Sequence, residues 1–367
     1  MDAVDRPLLD RFPGTRALPW EGIATLPTPV EEAPALAEAA GAAGVWVKRD
    51  DLAGRVYGGN KVRKLEFLIG EARAAGATDL VTFGAAGSNH ALATAIHGAA
   101  AGFAVHSMLI PQHNARYVRR NLLAALASEA DLHHYADRDH MMRGTVRLLK
   151  RLQAEGRVPS VIPFGGTTPA STAGFVNAGL ELAAQVEAGE VPEPDLVFCA
   201  LGSTGTAAGI AIGMRLAGLS SRVVAVPVIG YEMANADVLL TTIAAAQSTL
   251  ESVDDGLSRI AWTLEDFDVL TGFLGGDYAL FTPAGMEAVR LAEAGAGLHL
   301  DGTYTGKALS ALLARGREGA LKSARVLFWD TYNSRDIDGL AAKTDVTRVP
   351  SRLRPYFDHD VQGLDRG

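Results

Sequence analysis

"DLVFCALGSTGTAAGIAIG", residues 195–213, passes from an apolar run through a glycine- and hydroxyl-rich bend into a longer alanine-dotted apolar stretch. The first run is short and carries no polar residue after Asp195, which marks a strand covered on both faces. The last is too long and too rich in alanine for a strand and reads as a helix. Between them Gly202, Ser203, Thr204, Gly205 and Thr206 present successive N–H groups, hydroxyls and a helix N-terminus to one point in space, the arrangement that cradles a single phosphate. The spacing is not G-x-G-x-x-G, and no G-x-x-x-x-G-K-[ST] occurs anywhere, which argues against dinucleotide and P-loop sites.

The same alternation continues outward in both directions. Strands are predicted at 45–50, 79–84, 104–110, 131–136, 161–166, 195–202, 222–230 and 325–330, with helix-length segments between most of them. That rhythm predicts an α/β fold of βαβ units in open, twisted, mainly parallel sheets. Glycines, threonines and a proline cluster in "PFGGTTPASTAG" (163–174) and mark a seam. We expect a small α/β domain, residues 60–175, inserted into a large cofactor-binding domain made of residues 1–59 and 176–367.

The 367 residues carry 34 Lys and Arg against 42 Asp and Glu, a formal charge of −8, with no long basic block. Nucleic acid is therefore not an expected partner. The longest apolar stretch, "HGAAAGFAV", falls short of the about 20 residues that span a bilayer, and "MDAVDRPLLDRF" lacks a signal pattern. The expectation is a cytoplasmic protein with no membrane contact. The single cysteine, Cys199, lies inside a predicted strand and is read as core.

Two further strand-to-helix junctions carry chemistry. In "GGNKVRKLEF" (58–67), apolar residues recur at helical spacing after Lys61, which places that ammonium in the first turn. The positive helix end and the like charges of Arg63 and Lys64 are expected to lower its pKa, as an amine that attacks an aldehyde requires. In "VTFGAAGSNHALA", the turn after Phe83 offers Ser88, Asn89 and His90 in succession: a hydroxyl, a carboxamide and an imidazole able to hold a carboxylate and move a proton. A carbonyl-seeking lysine together with a monophosphate cup is what pyridoxal 5'-phosphate needs.

"KRDDLAGRVYGGNKVRKLEFL" (48–68), "GSNHA" (87–91), "GSTGTAAG" (202–209) and "LDGTYTGKAL" (300–309), in this order, resemble the D-cysteine desulfhydrase and 1-aminocyclopropane-1-carboxylate deaminase family of fold-type II pyridoxal phosphate enzymes, relatives of the tryptophan synthase β subunit. The resemblance implies that Lys61 is the Schiff-base lysine and that Lys64 reaches the phosphate with the Gly202–Thr206 loop. It implies that Asn89 meets the cofactor's ring oxygen and Thr331 its pyridine nitrogen. Ser88, Asn89 and His90 would bind substrate, and Ser88, Tyr278 and Tyr304 would act near the reacting carbon. A homodimer is also implied.

The chain departs from the family pattern on the substrate side. Thr305 stands where ring-opening deaminases carry glutamate, Gly87 where glutamine is usual, Tyr332 and Asn333 where two glycines are usual, and Asp330 precedes Thr331 where histidine is common. The first expectation is thus a lyase that expels a β-substituent from a small cysteine-like amino acid, giving a keto acid and ammonia. The alternatives are 1-aminocyclopropane-1-carboxylate deamination and a non-catalytic protein that binds the cofactor or another small ligand. A serine hydrolase is disfavoured because no G-x-S-x-G elbow occurs. "DLHHYADRDH" (131–140) offers imidazoles, but His133 and His134, adjacent in a strand, would face opposite sides, so no metal site is expected.

Overall fold

The computed structural model of the protein describes residues 6–257 and 260–366. Its N-terminal part contains α1 (Pro7–Arg11), β1 (Val30–Glu32), α2 (Pro34–Ala40) and β2 (Gly44–Arg49). Next come α3 (Lys61–Ala74), β3 (Asp79–Ala85), α4 (Asn89–Ala100), β4 (Ala104–Ile110), α5 (Arg116–Ala127), β5 (Asp131–His134), α6 (Arg138–Ala154) and β6 (Pro159–Ile162). Then follow α7 (Pro169–Glu187), β7 (Leu196–Leu201), α8 (Gly205–Leu216), β8 (Arg222–Pro227), α9 (Ala236–Glu251), β9 (Phe267–Val269), α10 (Pro283–Ala296), α11 (Thr305–Arg317), β10 (Arg325–Asp330), α12 (Asp338–Ala341) and α13 (Pro355–Asp358).

The strands form a six-stranded sheet, β1-β2-β10-β7-β8-β9, and a four-stranded sheet, β5-β4-β3-β6. All pairings are parallel except β1 with β2. The smaller sheet draws its strands from residues 79–162 and the larger from 30–49 and 196–330. Such sheets need helices on both faces, which is why their central strands are apolar throughout. Each predicted strand has a counterpart here, although the one expected at 161–166 pairs earlier, at Pro159–Ile162, because Gly165 and Gly166 take positive φ and turn the chain. β1 and β9 were not foreseen: each has only three residues, too few to show a period.

Two helices, α7 and α8, pack in backbone contact. A Cβ on Gly209 would lie 2.3 Å from Phe175 Cβ, and one on Gly213 would lie 2.2 Å from the Val176 carbonyl oxygen. The glycines in "GIAIG" are therefore the contact surface that seats α8, and with it the loop at its N-terminus. After β10 the chain returns to the smaller sheet, where Ile337, Val349, Leu353 and Tyr356 join the core built on α3, α4 and α5. Gln362 then accepts from Phe281 N–H (2.7 Å) and donates to the Ala279 carbonyl (3.1 Å), while its own N–H donates to the Asn114 carbonyl (3.0 Å).

One buried ionic network fixes α3 against the larger body. Arg63 donates to Asp50 (3.0 and 2.7 Å) and to Glu181 (3.0 and 2.9 Å), and Lys48 donates to Glu181 (2.6 Å), Gln185 (2.6 Å) and the Thr28 carbonyl (2.7 Å). Two cations meet two carboxylates, and all four side chains are buried. Removing one partner strands the others: Glu181→Ala is expected to cost about 3–5 kcal/mol, read by chemical denaturation. Despite the opposing effect of burial, Arg63 and Lys48 hold the Glu181 carboxyl down at about 2. Its contribution is therefore present above the unfolded carboxyl pKa of about 4.3 and is lost as pH falls toward the folded value, so wild type and variant should converge in stability in strong acid.

Candidate active site

The carboxyl ends of both sheets face a cavity of about 650 Å³. Lys61 is the first residue of α3 and lines it. The two preceding glycines make that placement possible. A Cβ on Gly58 would sit 1.9 Å from the Asp51 carbonyl oxygen, and one on Gly59, at φ +86°, would sit 2.9 Å from the Thr331 carbonyl oxygen. Asn60 N–H also donates to that Thr331 carbonyl (3.1 Å), stitching the start of α3 to the end of β10.

The Lys61 ammonium donates to Asn60 Oδ1 at 3.1 Å and forms no ion pair among the described residues. Burial lowers its pKa to about 8, and the more distant Asp301 carboxylate only partly opposes this. Arg63 does not take part, contrary to the sequence expectation. It stands on another side of the helix, and its charge is spent on Asp50 and Glu181.

Lys64, one turn on, is fully buried, and its Nζ meets only hydroxyls: Thr167 Oγ1 at 3.0 Å and Ser203 Oγ at 3.4 Å. Burial, and then the neighbouring Lys61 charge, push its pKa well below the usual lysine range. Burial and Lys61 thus disfavour the charged form of Lys64, and an anion held by the neighbouring loop would favour it. The loop beside it matches. Thr204 takes φ +61°, a conformation a threonine rarely adopts, and α8 begins with no side-chain cap on its first-turn N–H groups. Asn60 Nδ2 reaches Thr206 Oγ1 (3.1 Å), so the loop and the Lys61 turn are hydrogen-bonded together. Gly202, Ser203, Thr204 and Thr206 line the cavity, while Gly205 and Lys64 stand behind its wall. An amine facing the cavity and a cationic, hydroxyl-lined cup next to it fit a phosphorylated aldehyde.

On the opposite wall Ser88 caps α4, its Oγ accepting from Ala91 N–H (3.2 Å), and Asn89 and His90 follow it into the cavity. Asn89 accepts from Asn121 Nδ2 (3.1 Å) and lies 3.5 Å from Asp301 Oδ2. His90 is buried with Nε2 on Thr82 Oγ1 (3.2 Å) and Nδ1 unpartnered. Burial, then the charges of Lys61 and Lys64, lower its pKa well below the usual imidazole value, so it is neutral. Gly87 leaves space that its neighbours fill: its N–H donates to Gln112 Oε1 (2.7 Å), and a Cβ there would lie 2.9 Å from the Tyr117 ring.

Tyr278 and Tyr304 meet at the cavity, hydroxyl to hydroxyl, at 2.7 Å. Burial raises both above the usual phenol value, so both stay protonated. Thr331 is buried at the end of β10 and lines the cavity. The unusual neighbours have structural duties. Thr305 is buried on Asp301, donating to Oδ1 (3.0 Å) and accepting from its N–H (2.9 Å). Tyr332 accepts from Arg120 (2.9 Å), and Asn333 Oδ1 accepts from Gly58 N–H (2.6 Å). Asp330 is buried beside Asp51 with Oδ2 unpartnered, and burial raises its pKa well above the carboxylate range.

The structure thus brings together every sequence-expected site residue. Sequence reasoning missed Thr167, Asn60 and Asp301. Thr167 lies in the stretch taken only as a domain seam, and its signal was the doubled glycine before it.

Comparison with known proteins follows the same lines. The profile of the family described as "Pyridoxal-phosphate dependent enzyme" matches residues 23–331. The chain is 35% identical over 327 residues to a nocardicin C-9' epimerase of Nocardia uniformis subsp. tsuyamanensis, covering 87% of this chain and 94% of the relative. It is 33% identical over 301 residues to a D-cysteine desulfhydrase of Salmonella schwarzengrund, covering 78% and 85%. A crystal structure of a 1-aminocyclopropane-1-carboxylate deaminase homologue superposes with a TM-score of 0.75 at 30% identity, over 92% of this chain and 98% of that one.

With the cofactor removed, Lys61 is expected to react with pyridoxal phosphate with a half-point near pH 8, against about 10.4 for an ordinary lysine. The borohydride-trapped adduct should vanish in Lys61→Ala. Lys64→Met should cut the preference for the phosphorylated over the unphosphorylated aldehyde by about 10–100-fold, the worth of one charge-assisted hydrogen bond, read by equilibrium titration.

Proposed function

The chain belongs to the pyridoxal-phosphate dependent enzymes, and we propose that it is a lyase that eliminates the β-substituent of a small cysteine-like amino acid, D-cysteine or a close relative. The products are a 2-keto acid, ammonia and the expelled thiol. The observation that carries this reading is the Lys61 amine, held in the cavity with a pKa of about 8, beside a buried lysine and hydroxyl loop that have no anion of their own. The cofactor, when bound, supplies an aldehyde that condenses with amines and a ring that accepts electrons from the α-carbon.

The chain's own residues do the rest. Ser203, Thr204, Thr206 and the α8 N-terminus hold the phosphate, with Lys64 and Thr167 behind them. Thr331 offers a neutral hydroxyl to the ring nitrogen, which moderates its pull on electrons and suits elimination. Asn89 would meet the ring oxygen, and the Ser88–Asn89–His90 turn at the head of α4 would receive the substrate carboxylate. Lys61 Nζ, as a free amine, would accept the α-proton, its lowered pKa matching the task at neutral pH. The Tyr278–Tyr304 pair holds a proton at the far end of the cavity for the departing group.

Thr305 argues against cyclopropane ring opening, because its hydroxyl is engaged with buried Asp301 instead of being free for acid–base work. The epimerase relative supports a second reading in which the same grip removes an α-proton and returns it on the other face. A binder without catalysis is less well supported, since lysine, hydroxyl loop and tyrosines are all at hand. Among the described residues no helix is long and apolar enough to cross a membrane. We place the enzyme in the cytoplasm as a homodimer, with residues 60–175 as the inserted domain.

The purified yellow protein is expected to release keto acid and sulfide from D-cysteine, and little keto acid from the cyclopropane amino acid. Tyr304→Phe should lower kcat about 10²–10⁴-fold with the cofactor band intact. Exchange of the α-hydrogen with deuterium oxide without keto-acid release would replace this reading with the epimerase one.

A further inference from the structure

The imidazoles of 131–140 have no part in the cavity, yet one of them has found company. Asp131 and His133, two apart on the edge strand β5, project to one face of the smaller sheet, and His106 on β4 stands opposite Asp131 in register. His134 turns to the other side, where its ring meets Tyr356 edge-on at 6.3 Å. His133 and His134 thus face opposite sides, as expected, and His133 stands across the strands from His106, a pairing that the sequence expectation did not consider.

His106 Nδ1 lies 3.4 Å from Asp131 Oδ2, and His133 Nε2 lies 2.9 Å from the same oxygen. All three donor atoms fall within 4.8 Å of one another. An ion bound at about 2.0–2.2 Å sets neighbouring ligand atoms about 3–3.5 Å apart; the 3.4 Å distance falls in that range and the 2.9 Å one is slightly shorter. His133 Nε2 is buried, with the Asp131 carboxylate oxygen as the polar atom beside it.

The other nitrogen of His106 is already assigned. Nε2 donates to buried Asp79 (2.9 Å), which also takes Arg157 (2.8 Å). With its proton on Nε2, the ring offers Nδ1, 3.4 Å from Asp131 Oδ2, as the ligating atom. A carboxylate behind an imidazole is how metal-ligating histidines are oriented. Arg157 balances Asp79, leaving one carboxylate and two imidazoles aimed at one point.

We propose that His106, Asp131 and His133 form a divalent transition-metal site of the zinc class on the smaller sheet. Two imidazoles favour zinc, nickel or copper over magnesium and calcium, which prefer oxygen ligands. Asp131 is about half exposed (53%), so an ion can enter from solvent and keep water in its remaining positions. The site clips the edge strand to its neighbour and lies apart from the cavity, so its expected effect is on stability, not turnover.

The test uses the cofactor-loaded protein, stripped of metals with a chelator and titrated with zinc chloride by calorimetry at pH 7.5. One equivalent is expected to bind, to raise the melting temperature and to release protons as pH is lowered toward 6. Magnesium should not bind there. Asp131→Asn and His133→Ala should each weaken binding at least 10-fold while His134→Ala leaves it unchanged, and the yellow band of each variant reports an intact fold. No binding, or binding unaltered in both Asp131→Asn and His133→Ala, overturns the proposal.

Discussion

Two lysine amines one helical turn apart, Lys61 lining the cavity and Lys64 behind its wall, have among the described residues no carboxylate in hydrogen-bonding reach. Like charges in a poorly hydrated place repel strongly, and nothing local repays the cost until an anion arrives. The remainder of the fold can be read as the means of holding them there. Arg63, between the two in sequence, is tied into four-fold ionic contact with Asp50 and Glu181, so the helix cannot rotate its lysines out to water. Gly58 and Gly59 let the preceding turn lie flush against the Asp51 and Thr331 backbones, and α8, seated on α7 through its glycines, brings hydroxyls to the same spot.

Much of this was legible in the chain. A glycine pair ahead of a lysine that opens a helix, and a hydroxyl-rich bend between a strand and a helix, each describe local geometry that the backbone then adopts. What failed was inference from sequence adjacency to spatial adjacency. Arg63 and Lys64 are neighbours in the chain, but on a helix they point about 100° apart, so one ends in an ion network and the other at the cup. Thr167 lies over a hundred residues from Lys64 and in a segment whose composition also suits a linker. The 2.7 Å contact between Tyr278 and Tyr304 joins two loops, which no period could announce; only the family resemblance pointed to both.

The substitutions on the substrate side are repacked, not merely tolerated. Where Gly87 removes a side chain, Gln112 and Tyr117 enter the space, and Gln112 takes over the turn's N–H group. Tyr117 reaches on to Thr303, one residue before Tyr304. Asn333, in place of a small residue, accepts from Gly58 and so supports the lysine turn from the other side. The structure around these departures from the family motifs is thus completed by residues outside those motifs.

The tail that carries Gln362 ties the loop of Tyr278 to Asn114 beside the smaller sheet, and His113 adds a contact to Asp277 at 3.1 Å. Any hinge motion that parts the two sheets therefore pulls on the segment bearing one of the two phenols. The Tyr278–Tyr304 contact therefore depends on how the two sheets are held, because the segment bearing Tyr278 is anchored to both.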